Sequence, residues 1–201
     1  LGHTPFGHAG EDALNEAMQS YGGFDHNAQT LRIVTKLERR YGDFDGLNLT
    51  WETLEGIVKH NGPLTVVVES VKSYNQEHNL ELTTFPSPEA QVASLADDIA
   101  YNNHDIDDAL RAGFIVLNDL IELPLVGPII KEVQALYPEA TLGRQGHETI
   151  RRIIDRMVTD LVEESRNRAK VYCPANAQAV RELNVPLILF SADMAAHNEI
   201  L

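Results

Sequence analysis

The sequence predicts an all-α protein, and three observations support this prediction. Apolar residues recur at three- and four-residue steps over most of the chain, which is the period of a buried helix face. Glycine and proline interrupt these runs at intervals that suit helix ends. The pattern leaves two runs ambiguous, Val66-Val67-Val68 and residues 80–84, and both are too short to predict a strand instead of a helix. The class is therefore mostly or wholly α.

Three helices are predicted in the first part of the chain. Residues 11–21 form the first, which ends at Gly22-Gly23. Residues 27–41 form the second, and Thr50 begins the third, which closes at Gly62-Pro63. From residue 63 to residue 86 the pattern predicts neither helix nor strand.

A long helix is predicted after Ser87, which suits an N-cap, and Pro88, which suits the first helical position. It should end near Ala112. Three further helices are predicted at 126–136, 147–168 and 175–183, and a last one begins at the cap residue Ser191. Because no repeat, low-complexity tract or long linker interrupts this order, we expect one helical domain over residues 1–201.

Composition limits the classes of function. The 201 residues contain 30 acidic and 16 basic side chains, a formal charge of −14. This balance disfavours nucleic-acid binding, which needs a basic face, but not a small anionic substrate held by a metal and a few cations. The single cysteine, Cys173, excludes an internal disulfide and a cysteine-based zinc site. No apolar run predicts a membrane span and no signal peptide is visible. The lone cysteine fits a reducing compartment, and we expect a cytoplasmic protein.

The opening segment, residues 1–11, concentrates groups suited to proton transfer. It holds His3, His8 and Glu11 among glycines and Pro5, which disfavour a helix and predict a shaped loop. Histidine exchanges protons near neutral pH, and a nearby carboxylate can orient its ring. The alternative is that both histidines lie on a surface loop and that Glu11 only complements a helix N-terminus.

A second cluster of polar groups lies on the long helix. At about 100° per residue, Asp97, Tyr101, His104 and Asp108 share one stripe, and Asp105 borders it. An apolar stripe at 95, 99, 106 and 110 should bury the neighbouring face. A buried charge needs a partner, so the acids either face solvent or meet a metal, cations or a ligand.

Two basic positions are candidates for phosphate contact. Lys59, followed by His60, ends a predicted helix, and Arg32 pairs with Lys36 at the i, i+4 spacing. The alternatives are a charge complement to the helix C-terminus and surface salt bridges.

Four ordered runs resemble one known family. The opening segment resembles the sequence that directly follows the His-Asp pair of HD-domain deoxyguanosinetriphosphate triphosphohydrolase-like proteins. Runs at 24–32, 49–60 and 96–108 resemble the same family in the same order, so the resemblance covers residues 1–113. It implies an all-α HD fold and an enzyme that splits a deoxynucleoside triphosphate into deoxynucleoside and inorganic triphosphate.

The resemblance also implies roles for individual residues. Asp97 corresponds to the distal aspartate that binds a divalent metal such as Mg²⁺ or Mn²⁺. Tyr101 corresponds to the tyrosine that packs against the deoxyribose, and Asp105 to an acid that bonds the sugar. Six further positions are implied near the leaving group, the attacking water or the phosphates: His8, Glu11, His3, His26, Lys59 and Arg32.

The other metal ligands of the family should precede Leu1. We therefore expect a segment truncated at the N-terminus, and at the C-terminus as well, that by itself binds metal weakly or not at all and is inactive. In the intact protein we expect a homo-oligomer, with the opening segment and the acid-bearing helix around one cavity. The alternatives are a sensor that binds a deoxynucleoside triphosphate without cleaving it, and an HD phosphodiesterase or nucleotidase.

Overall fold

The computed structural model describes all 201 residues, and they form nine α-helices and no sheet. The only strand-like pairing is an isolated bridge between Arg39 and Gly46. The prediction of an all-α protein is confirmed, and it is consistent with the HD-type helical fold that the resemblance implies. The helices are α1 (Gly7–Ala17), α2 (His26–Arg32), α3 (Trp51–Val58), α4 (Glu69–Glu77), α5 (Pro88–Ala112), α6 (Val126–Leu136), α7 (Leu142–Tyr172), α8 (Ala177–Arg181) and α9 (Ala192–Asn198).

The chain divides into two compact units. Unit 1 comprises Leu1–Gln91 and Pro174–Pro186, and unit 2 comprises Val92–Cys173 and Leu187–Leu201. Each unit has its own apolar core. The single domain predicted over residues 1–201 stays a prediction, because packing units need not be domains that fold independently.

The core of unit 1 forms where α2, α3 and α4 pack together. Its buried members include Leu31, Val34, Val58, Val71 and Leu80. Burying a side chain of this size contributes about 1.5–3 kcal/mol, so five of them outweigh any single surface contact. This core is therefore a major favourable contribution to the folding of unit 1.

A buried group of charges also lies in unit 1. The Glu55 carboxylate on α3 accepts hydrogen bonds from the Arg181 guanidinium at 3.0 and 3.2 Å, and the Lys59 ammonium lies 2.8 Å from Oε1 of Glu55. Lys59 Nζ also donates to the carbonyl oxygens of Glu81 (3.1 Å) and Phe85 (3.2 Å). These contacts tie α3 to the turn at residues 81–85 and to α8.

The core of unit 2 forms mainly between α6 and α7. Ile130, Val133, Ile153 and Met157 are fully enclosed there. Hydroxyl groups cap the helices of this unit, since Thr141 accepts a hydrogen bond from the first turn of α7 and Ser191 accepts one from the first turn of α9. No helix in the structure is both long enough and apolar enough to cross a membrane.

Three predicted elements were wrong in their bounds. The first helix begins at Gly7 rather than residue 11. The second is shorter than predicted, because α2 is followed by one π-helical turn, Ile33–Leu37, and then by extended backbone at Glu38. α7 begins five residues earlier and ends four residues later than predicted. The helix α4 lies in the segment where the pattern predicted nothing.

Candidate active site

The opening segment folds back onto α1. Phe6 and Gly7 have positive φ angles, and the helix begins at Gly7, so His8 lies in a first helical turn and not in a loop. A Cβ on Gly10 would clash with the Pro5 carbonyl oxygen. Glycine at position 10 therefore lets residues 4–6 lie against the helix, and the loop prediction for residues 7–10 was wrong because it treated this glycine as a helix breaker.

The same segment is attached to α2. Gly2 has a φ of +77°, and a Cβ at this position would lie 2.5 Å from the His26 carbonyl oxygen. The Thr30 hydroxyl is within hydrogen-bond distance of the carbonyl oxygens of Leu1 (2.5 Å) and His26 (2.8 Å). Residues 1–3 are thus held close to the first turn of α2.

A carboxylate–imidazole pair forms between α1 and α2. Nδ1 of His26 lies 2.9 Å from both carboxylate oxygens of Glu11, and the backbone N–H of His26 donates to Oε1 at 2.9 Å. The two side chains are 17% (Glu11) and 14% (His26) exposed. Because an ionised carboxylate only accepts hydrogen bonds, Nδ1 carries the proton that it donates to Glu11, and Nε2 is left to meet a ligand or water.

Burial and hydrogen bonding act on the Glu11 carboxyl in opposite directions. Burial alone would raise its pKa, but the hydrogen bonds from the side chain and backbone of His26, with the charges of His26 and His3, hold the pKa of Glu11 below its ordinary value. Glu11 is therefore ionised at neutral pH and able to orient the imidazole.

Two further histidines accompany this pair. The His3 and His26 rings lie 4.3 Å apart between centroids at an angle of 51°. His8 precedes Glu11 by three positions on α1, so both side chains lie on one side of that helix. The sequence prediction that the opening segment concentrates imidazoles and an acid agrees with these contacts, whereas the roles of His3, His8, Glu11 and His26 stay predictions.

One set of side chains in the whole chain has the spacing of metal ligands. The ligand atoms of Glu11, Asp25 and His26 lie within 4.8 Å of one another. Each is already bonded, however, since Asp25 caps α2 by accepting a hydrogen bond from Ala28 N at 2.6 Å and Glu11 holds His26. Glu11 and His26 are thus hydrogen-bonded to each other, and Asp25 is hydrogen-bonded to its own helix.

The predicted metal ligand Asp97 does not belong to that set. It lies on α5 in unit 2, and a divalent transition metal takes three or four protein ligands. The residues of this chain do not by themselves fit such an ion around Asp97, so the metal site stays a prediction for a longer protein.

The sugar-binding candidates also lie on α5. Ile99 and Ile106, which belong to the apolar stripe of this helix, are buried in unit 2 as predicted. Asp97, Tyr101 and Asp105 are exposed. Tyr101 is 55% exposed. The acids therefore avoid burial, and their predicted roles stay predictions.

The two basic candidates differ in their surroundings. Arg32 is exposed at the end of α2. Lys59 has no exposed surface, and its ammonium group is surrounded by Glu55, the Thr84 hydroxyl and three backbone carbonyls. Burial lowers the pKa of Lys59, while the hydrogen bond and charge of Glu55 oppose this. These contacts give Lys59 a structural role and do not support its predicted contact with triphosphate.

Sequence reasoning missed Asp25 and Thr30. Both act through hydrogen bonds near the candidate pair, Asp25 as the N-cap of α2 and Thr30 as a partner of the Leu1 and His26 carbonyls. The cap could have been predicted, because an aspartate that directly precedes a helical run is an N-cap signal. The contact of Thr30 with Leu1 spans 29 positions and leaves no local signal.

No protein-family model matches this chain. Curated proteins named deoxyguanosinetriphosphate triphosphohydrolase-like protein do match it. The protein from Parvibaculum lavamentivorans is 55% identical over 208 aligned residues, covering 100% of this chain and 52% of the relative. Those from a Caulobacter species and from Brucella suis are each 53% identical, covering 97% and 100% of this chain and 51% and 52% of the relatives.

The chain spans about half the length of the curated relatives it matches. Their identity extends across both units, including the part beyond residue 113 where the sequence motifs were less distinctive. The resemblance is therefore confirmed. Almost the whole of this chain is homologous to about half the length of each of these deoxyguanosinetriphosphate triphosphohydrolase-like proteins.

Proposed function

We propose that this chain supplies part of the active site of a hydrolase that cleaves deoxynucleoside triphosphates, dGTP among them, into deoxynucleoside and inorganic triphosphate. The observation that carries the proposal is the Glu11–His26 pair, with the His3 ring beside it, in a segment that matches proteins named for this activity. An acidic protein needs localised donors to accept a polyphosphate, and a cluster of imidazoles provides them.

The geometry of the pair supports a proton-handling role. With Nδ1 donating to Glu11, the neutral His26 ring presents Nε2 as an acceptor, and the protonated ring presents it as a donor. The first form takes a proton from water and the second stabilises a phosphate oxygen. Glu11 holds the orientation of the ring in either case.

His8 is proposed as the group that exchanges a proton with the reacting water or leaving group. It is exposed on α1, on the same side as Glu11. His3 and Arg32 are proposed contacts for the phosphates, and Tyr101 and Asp105 for the sugar.

A divalent metal at Asp97, such as Mg²⁺ or Mn²⁺, is part of the proposal for the longer protein only. It would polarise a phosphate oxygen when bound. The chain alone offers one ligand there, so we expect it to bind the metal weakly and to be inactive. Assembly into a homo-oligomer belongs to the same proposal.

Product analysis tests the proposed reaction. The protein at its full natural length is incubated with each deoxynucleoside triphosphate and Mn²⁺, and the products are separated by ion-exchange chromatography. Inorganic triphosphate and deoxynucleoside in equal amounts are expected. Nucleotide binding without products would identify a sensor instead. Release of phosphate, pyrophosphate or a monophosphate would identify another nucleotidase, and cleavage of a cyclic or linear phosphodiester would identify a phosphodiesterase.

A further inference from the structure

Unit 2 contains a half-open cavity of about 450 Å³ at the end of α5 and the start of α7. Most of its wall is apolar and comes from Leu110, Ile115, Val116, Leu117 and Leu142. Small-molecule sites in proteins are typically about 300–1,000 Å³ and mostly apolar, with a few polar groups that orient the ligand. This cavity has that size and composition.

Two glycines of α7 make the cavity possible. Gly143 and Gly146 are three positions apart and both line it. A Cβ on Gly143 would meet no atom within 4 Å, and a Cβ on the buried Gly146 would only reach Cδ1 of Leu110 at 4.0 Å. No steric conflict requires glycine at either position, although glycine inside a helix costs about 0.5–1 kcal/mol relative to alanine. Both glycines therefore border open space that a larger side chain could enter.

A cationic group lies at the edge of this apolar space. Arg111 donates from Nε to Asp107 at 2.9 Å, which leaves both of its Nη groups for another acceptor, and its side chain is 63% exposed. His147 Nδ1 lies 3.9 Å from the other oxygen of Asp107, and the His147 side chain is also exposed. Asp107 is thus the anion of the group and is already paired with Arg111, while the Arg111 guanidinium and the His147 ring are exposed.

We propose that this cavity binds a small amphipathic carboxylate, with its apolar chain against the glycines and its head group at Arg111. The apolar wall contributes through the hydrophobic effect. A guanidinium with two available Nη groups matches a carboxylate in a bidentate geometry. The proposal goes beyond the proposed function and does not depend on it.

Thermal unfolding of the 201-residue chain tests the proposal with three probes that share one chain length: decanoate, decan-1-ol and decyltrimethylammonium. A ligand that binds the folded protein raises Tm as its concentration rises. We expect the largest increase with decanoate, a smaller one with decan-1-ol and none with decyltrimethylammonium. No increase with decanoate, or an equal increase with all three probes, would overturn the proposal.

Variants assign the effect to the cavity. Gly146→Leu fills the space and should abolish the response to decanoate and decan-1-ol, with Gly143→Leu as a second filling variant if the first unfolds. Gly42→Leu is the matched control, since a Cβ on this exposed glycine meets nothing within 4 Å, and it should leave both responses unchanged. An unchanged response in both filling variants would contradict the proposal.

Charge variants assign the head group. Arg111→Gln should weaken decanoate binding about tenfold and leave decan-1-ol binding unchanged, which a purely structural role of Arg111 would not do. Asp107→Asn removes the competing carboxylate and should tighten decanoate binding. If the filling variants change the sedimenting mass of the chain but not its response to decanoate, the cavity is a contact for a second copy and the proposal is wrong.

Discussion

The Lys59 ammonium lies 2.8 Å from the Glu55 carboxylate, and neither side chain is exposed to solvent. Arg181 supplies a second cation to the same carboxylate and stacks its guanidinium over the Trp51 ring at 4.8 Å. One anion thus balances two cations in the interior of unit 1. The surrounding carbonyl oxygens compensate the remaining positive charge through their hydrogen bonds with Lys59.

Removing the single anion of this group should destabilise the protein strongly. Glu55→Gln leaves Lys59 and Arg181 buried without their counter-ion, and loss of one partner in a buried ion pair costs about 3–5 kcal/mol. Urea unfolding measures the change in the free energy of unfolding. Glu52→Gln, on the exposed face of the same helix, should change it by about 0.5 kcal/mol or less. A loss below about 1 kcal/mol for Glu55→Gln would show that solvent reaches the group.

The pKa of Glu11 predicts a dependence of stability on pH. A carboxyl whose pKa is lowered by folding binds fewer protons in the folded state, so its contribution is present above its unfolded pKa of 4.5 and is lost as the pH falls through the folded value. Stability of the wild type should therefore fall below pH 4.5 more steeply than that of Glu11→Gln, whereas above pH 4.5 the difference should be constant. Urea titrations at a series of pH values measure both slopes. Parallel curves would contradict the ionised Glu11–His26 pair.

Gly10 is expected to be essential for the fold of the opening segment. In Gly10→Ala the new methyl group meets the Pro5 carbonyl oxygen, so residues 4–6 must move away from α1 at a cost of about 1–3 kcal/mol. Hydrogen exchange of the amides in residues 1–10 should accelerate. Ala9→Ser, on the exposed side of the same turn, serves as the control and should leave exchange unchanged. Unchanged exchange in Gly10→Ala would mean that the segment does not lie against the helix.

Metal titration tests the prediction for Asp97. The 201-residue chain should show no increase in Tm with about 1 mM Mn²⁺, because one carboxylate is too few ligands for a tight site. The protein at its full natural length should be stabilised, and Asp97→Asn should remove that stabilisation. Strong Mn²⁺ binding by the 201-residue chain would instead indicate a metal site at Glu11, Asp25 and His26, whose side chains have the spacing of metal ligands.

Loss of the proposed proton-exchanging group should affect turnover and not folding. His8→Ala in the full-length protein should reduce the release of inorganic triphosphate by about 100-fold to 10,000-fold, the usual range for a general acid or base. Because the His8 side chain is exposed, the helical circular dichroism signal should not change, and the spectrum serves as the control. Unchanged turnover would remove His8 from the mechanism.

Local signals in the sequence were sufficient for some elements. α6 has the predicted bounds, and the Thr50, Ser87 and Ser191 caps are all present, because each depends on side chains within three or four residues. α4 was missed because only Val71 of its nine residues is buried, which gives no periodic apolar face.

Other features depend on residues far apart in the sequence. Lys59 had the pattern of an exposed helix end, and its burial comes from contacts with Glu81, Thr84 and Phe85, which lie 22 to 26 positions away in the sequence. The start of α1 depends on the close approach of the Pro5 carbonyl to Gly10. Helix propensity, which treats glycine only as a weak helix former, does not predict this contact. The pairing of Glu11 with His26 needs the turn between α1 and α2, so sequence reasoning could name both residues but not their hydrogen bonds.

In the proposed reaction, we expect Glu11 and His26 to act as one unit. The most direct test is a double-mutant cycle in the full-length protein, with release of inorganic triphosphate from dGTP measured for Glu11→Gln, His26→Gln and the double variant. If the pair is one unit, each single variant loses most of the activity and the double variant loses little more. If the two losses multiply, or if either single variant retains the wild-type rate, the pair does not perform the chemistry proposed for it.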